Sequence, residues 1–117
     1  MFDLGILYDL GSGVTRDYQQ ARQWYEKGAA AGNTGAMAGL GMLYKYGQGV
    51  AQDYQQERQW FEKSAAAGNE MAMYYLGYMY EHGEGVAKNN QTARQWYEKG
   101  AAAGDNDAKA ALDRLLK

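Results

Sequence analysis

The chain repeats itself every 36 residues. Leu4-Gly5 returns as Leu40-Gly41 and Leu76-Gly77. Gly11-x-Gly13-Val14 returns as Gly47-x-Gly49-Val50 and Gly83-x-Gly85-Val86. Trp24, Trp60 and Trp96 keep the same step. A fixed period of this length marks an array of supersecondary units, each of which buries its apolar face only against its neighbours. Such arrays present extended surfaces rather than one enclosed cleft, so an interaction scaffold is favoured over an enzyme.

Bulk properties narrow the classes further. At 117 residues the chain is long enough for one domain with a modest core. It carries a net charge of -2, and its Lys and Arg residues are spread over the repeats, so no basic face for nucleic acid is expected. There is no Cys, which excludes disulfides and thiolate zinc sites. His82 is the only His, leaving carboxylates alone for any metal, so neither metal nor cofactor is expected. No apolar run approaches the roughly 20 residues of a membrane span. Met1-Phe2-Asp3 leads straight into the repeat pattern, so no secretory leader is expected.

One full unit runs from Asn33 to Gly68. Asn33 follows Gly32 and opens an apolar-periodic run; Gly68-Asn69 and Gly104-Asp105 repeat the pair. This is a Gly closing one helix and a capping side chain opening the next, a tight turn that sets neighbouring helices antiparallel. Ala36, Leu40, Leu43 and Tyr44, at spacings of three and four, define the buried face of a first helix, helix A. The mid-helix Gly41, recurring as Gly5 and Gly77, predicts a close approach with no room for a Cβ, since Gly there costs about 1 kcal/mol relative to Ala. Helix A ends near Tyr46, and Gly47-Gln48-Gly49-Val50 turns the chain with two left-handed glycines and a valine folded back as a plug. Helix B opens at Asp53, where Asp53-x-x-Gln56 reads as a capping box, as does Asp17-x-x-Gln20. Its expected buried stripe is Trp60, Phe61, Ser64 and Ala65, with the Trp burying the most area. The Glu62-Lys63 doublet, repeated as Glu26-Lys27 and Glu98-Lys99, reads as a solvated face.

The pattern Ala36-x-x-x-Leu40-Gly41-x-x-Tyr44-x-x-Gly47-x-Gly49-Val50-x-x-Asp53, then Trp60-Phe61-x-Lys63-x-Ala65-x-x-Gly68, resembles the Sel1-like repeat, a relative of the tetratricopeptide repeat. The resemblance covers essentially the whole chain. It implies an all-α, right-handed solenoid of antiparallel helix pairs, with helix A lining a concave face, and a role as an adaptor that holds proteins together. The expected layout is a single repeat domain over 1–117. Within it, 1–32 is a truncated first repeat, 33–68 the second, 69–104 the third and 105–117 a C-terminal half-repeat acting as a cap, seven helices in all. An opening in mid-motif suggests an excised fragment or an engineered array. Two departures stand out. Gly28, Ser64 and Gly100 replace a usual Ala, weakening helix B or allowing closer packing. Glu57 replaces the small residue seen at Ala21 and Ala93, so it either reaches outward or marks a deliberate change.

Helix B hardly varies: Ala21 to Lys27 returns in full as Ala93 to Lys99. Helix A varies freely, and freely varying positions are drift or specificity. By analogy with the tetratricopeptide groove, the inward positions are Phe2, Ile6, Asp9 and Leu10, then Ala38, Met42, Lys45 and Tyr46, then Tyr74, Tyr78, Glu81 and His82. The candidate partner-binding residues are Ile6, Met42, Lys45, Tyr46, Met71, Tyr74, Tyr78, Glu81 and His82, a surface rich in Tyr and Met suited to a protein or peptide ligand. The alternative for these aromatics is simple coverage of neighbouring helices. The expected partner is protein, neither nucleic acid nor membrane, and the expected state is a monomer or a weak end-to-end dimer. Competing functions are a structural array without a natural ligand and, less favoured, a hydrolase. No catalytic set supports the last, because neither Ser12 nor Ser64 is near the His.

Overall fold

The structure is a computed structural model that describes residues 17–117. Among the described residues it is all-helical. The helices are α1 (Tyr18–Ala30), α2 (Thr34–Tyr46), α3 (Tyr54–Ala66), α4 (Glu70–His82), α5 (Asn90–Ala102) and α6 (Asn106–Leu115). Helices α2, α4 and α6 are of the A type and α1, α3 and α5 of the B type. The first expected helix A, with Phe2, Ile6, Asp9 and Leu10, lies outside the described residues. The chain divides into two compact units, Met1–Trp60 and Phe61–Lys117, the division falling inside α3.

Every boundary has a local cause. The Asn33 side chain accepts from the Ala36 N–H at 2.8 Å, Asn69 from Ala72 at 2.9 Å and Asp105 from Ala108 at 2.8 Å, so each A helix opens on a side-chain cap. Just upstream, the Asn33 N–H reaches back to the Gly28 carbonyl at 2.9 Å, closing α1. Helices α2 and α4 stop at Gly47 and Gly83, both left-handed, with φ of 65° and 72°. The B helices open on Asp17, Asp53 and Asn89, each accepting from the N–H three residues on. The expected reciprocal half of the capping box is replaced. The Asp53 and Asn89 N–H groups donate instead to the Tyr44 and Tyr80 carbonyls, at 3.1 and 2.8 Å. The cap thereby ties the start of each B helix to the end of the A helix before it.

In the first unit α1 packs on α2 around Ala21, Tyr25, Ala29, Ala36, Leu40 and Leu43, with Tyr18, Met37, Val50 and Trp60 at the edge. Val50 thus plugs the turn as expected. In the second unit α5 packs against α4 and α6, around Ala93, Tyr97, Ala108 and Ala111. One expectation is corrected here. The Trp of each B helix is half-buried, whereas the next residue is the core aromatic: Tyr25 is 2% exposed, and Phe61 and Tyr97 are 0% exposed. Successive helical side chains diverge by about 100°, so only one of the pair can point at the core. In α6 the buried residues are Ala108 and Ala111, while Leu116 is 62% exposed.

Small residues admit the large aromatics. A Cβ at Gly77 would sit 2.5 Å from the Tyr97 ring, so the recurrent mid-helix Gly does mark a close approach, made by a ring. Likewise a Cβ at Gly100 would lie 2.8 Å from the Ala108 Cβ, which explains Gly in place of Ala as closer packing of α5 on α6.

Candidate functional site

Helix α4 carries the densest of the expected positions. Met71, Tyr74, Tyr78 and His82 recur at three- and four-residue steps, so they share one helix face. Met71 and His82 are exposed, and Tyr74 and Tyr78 half-buried. The rings form a ladder, with centroids 6.4 Å apart between Tyr74 and Tyr78 and 4.2 Å between Tyr78 and His82. Tyr74 is also the anchor of the ladder. Its ring lies 5.9 Å from that of Tyr97 and 5.1 Å from that of Tyr75, and it packs on the second-unit core. Burial first, and then the nearby Asp107 carboxylate, raise the Tyr74 hydroxyl above the usual tyrosine range, so it stays a neutral donor.

Glu81 does not belong to the exposed face. It is 7% exposed. Tyr97 donates its hydroxyl to Oε1 at 2.7 Å, and the Arg114 guanidinium donates to both oxygens, at 2.8 Å to Oε1 and 2.5 Å to Oε2. A forked pair of this kind is the strongest geometry available to a carboxylate. The Arg114 hydrogen bonds, with a smaller contribution from Tyr97, hold the Glu81 carboxyl down at about 2 against the opposing effect of burial. Burial and the same carboxylate push the Tyr97 hydroxyl far above the usual range. Glu81 therefore clasps α4, α5 and α6 together and is not offered to a partner. Arg114, on the cap helix α6, is the other half of that clasp.

In the first unit, Tyr46 is 56% exposed and Met42 half-buried. Lys45 is drawn inward. Its Nζ lies 3.9 Å from Oε2 of Glu57, which is 0% exposed, and 5.6 Å from the Tyr46 ring centroid. Glu57 thus faces inward, and its companion is the Lys that α2 carries at the position of Glu81. Ala38 is also removed from the candidate face, being fully buried. Ile6 lies outside the described residues.

Three aromatic contacts escaped the sequence reading. Lys27 covers Trp24 at 4.8 Å and Lys99 covers Trp96 at 4.7 Å, so the Glu-Lys doublet supplies a lid for the half-buried Trp. The spacing of three between Trp and Lys was the available signal. Phe61 stacks on Tyr75 at 5.2 Å, which no sequence spacing announces. Among the described residues, no cluster of His, Asp and Glu could hold a metal ion. No described helix is long and apolar enough to cross a membrane.

The profile of the Sel1 repeat family matches residues 1–33, 34–69 and 70–105. Among solved structures, a Sel1 repeat protein from Oxalobacter formigenes is 38% identical, with a TM-score of 0.87, over 94% of this chain and 45% of that one. A protective antigen of uropathogenic Escherichia coli strains displaying an SLR fold is 39% identical, also with a TM-score of 0.87, over 97% of this chain and 24% of that one. Cysteine rich protein B of Helicobacter pylori is 25% identical, with a TM-score of 0.80, over 95% of this chain and 86% of that one. The chain therefore spans less than half the length of the first two. No curated protein matches significantly.

Proposed function

The chain belongs to the Sel1 repeat family, and from that premise we propose that it is a non-enzymatic protein-binding scaffold that holds a peptide segment of its partner on the exposed face of α4. Sel1 repeat proteins are in general protein–protein interaction scaffolds. The observation that supports this surface is the Met71, Tyr74, Tyr78 and His82 ladder. Its outer members are accessible, while Tyr74 is fixed against Tyr97. Aromatic side chains held by their neighbours lose little freedom when a partner docks, and a Met beside them adapts to irregular shapes. Tyr46 and Met42 of α2 offer the same chemistry in the first unit. Glu81 and Lys45 stand apart, because their charges are already matched within the fold.

A displayed library of random peptides, selected on the wild-type protein, tests the proposal. Selected peptides should bind the Met71→Ser/Tyr78→Ser double variant at least tenfold more weakly, while its helical circular dichroism is unchanged. Equal binding to both proteins would remove the α4 face from the proposal.

A further inference from the structure

Helices α4 and α6 touch in the second unit, and α6 adds charge to the aromatic ladder of α4. Asp107, Ala110 and Arg114 stand one period after Met71, Tyr74 and Tyr78, so the two helices present matching rows. Arg114 is already matched by Glu81, and His82 lies 3.8 Å from the same carboxylate. Asp107 and Glu70 are exposed, and among the described residues neither is in an ion pair. After burial, the Asp107 carboxylate does most to raise the Tyr74 hydroxyl, which brings the two groups together across α4 and α6. The face thus sets unmatched negative charge beside its rings. Helix polarity does not require these acids, because α2 carries Thr34 and Gly35 at the positions of Glu70 and Asp107. Nor does place in the array create the exposure. Met71, at the position of Asp107 and with α5 and α6 following it, is 38% exposed.

The protein itself shows what such rings accept. Lys27 lies over Trp24 at 4.8 Å, Lys99 over Trp96 at 4.7 Å and Lys45 over Tyr46 at 5.6 Å. No described Lys or Arg lies over the Tyr74 ring in this way. We infer that the occupant of the α4 face is a basic peptide segment, with an arginine set between Asp107 and Tyr74 and an apolar residue on Tyr78 and His82. The inference rests on the peptide-binding reading of α4 and names the chemistry of its ligand. A guanidinium suits the place, because its fork pairs with a carboxylate while its plane stacks on an aromatic ring. From Tyr74 to His82 the helix rises about 12 Å, the span of about four extended residues. The expected ligand therefore carries its apolar residue roughly three to five positions from the arginine.

A displayed library of random peptides is selected in parallel on wild-type protein, Asp107→Asn and Asp107→Glu, each checked for unchanged helical circular dichroism. The wild type should enrich Arg about threefold over the unselected library, with an apolar residue at that spacing. Asp107→Glu should keep the enrichment and Asp107→Asn lose it. A synthetic copy of the most enriched peptide, followed by fluorescence anisotropy, should bind the wild type about tenfold more tightly than its Arg→Gln version. The two peptides should bind Asp107→Asn alike. Asp113→Asn, on another side of α6, should change neither affinity. Peptides that need Met71 and Tyr78 but carry no basic residue, or that bind Asp107→Asn as tightly as wild type, overturn the inference and leave α4 as a binding face. Enrichment of acidic peptides also overturns it, assigning the face to Arg114 and His82. Peptides indifferent to Met71→Ser/Tyr78→Ser, or a selection that yields none, overturn both this inference and the reading beneath it.

Discussion

Lys45 in α2 and Glu81 in α4 occupy the same position of successive repeats, yet they carry opposite charges. In the first unit Lys45 meets Glu57, a fully buried carboxylate on the B helix that follows. In the second, the position of Glu57 is filled by Ala93, and Glu81 turns instead to Tyr97 and Arg114. Each repeat thus neutralises the charge at this position from a different helix. Burying a lone charge at the inner end of an A helix is too costly to tolerate, so a change of sign at one site must be answered at another. The repeat is conserved as a packing problem, while its polar solutions are local.

The largest effect expected on breaking this arrangement comes from Lys45→Ala. Glu57 would lose its ammonium while remaining buried, at a cost of about 3 kcal/mol. Combining it with Glu57→Ala, which restores the small residue of the other repeats, should recover most of that loss in urea unfolding. Next, Glu81→Gln should cost about 2 kcal/mol, less because Arg114 is half-exposed and water screens the pair. The same clasp has a pH signature. Its carboxyl titrates at about 2 in the folded protein against an ordinary 4.5. Its contribution is therefore complete above pH 4.5 and is lost as pH falls toward 2. Glu81→Gln should flatten that part of the stability–pH curve. Smaller still, Tyr97→Phe should cost about 1 kcal/mol, since it removes one hydrogen bond and leaves the ring that Phe61 supplies one repeat earlier. Last, Tyr78→Ser, on the half-exposed ladder, should shift stability by no more than about 0.5 kcal/mol.

The period, the helix boundaries and the caps were all legible, because each depends on residues within a few positions of one another. Asn33 and Ala36, or Gly47 and Gly49, carry their message locally. The choice between Trp24 and Tyr25 was not legible from size alone. A helix rotates its side chains by about 100° per residue, and the larger ring sits at the edge of the core under a Lys. The fate of Glu81 was hidden for a different reason. Its partner Arg114 is on another helix, brought near only when α4, α5 and α6 pack. Among the candidate residues, Met71, Tyr74, Tyr78 and His82 share one helix face, which their spacing already gave. Glu81 and Lys45 were grouped with them because spacing gives direction around a helix and says nothing of which neighbour covers it.

The most direct test of the scaffold account is a hydrogen-exchange footprint of the protein bound to a peptide selected on it. Protection concentrated in Met71–His82, with a weaker imprint at Met42–Tyr46, is the predicted result. Protection confined to the B helices around Trp24 and Trp96, with α4 unchanged, would contradict it.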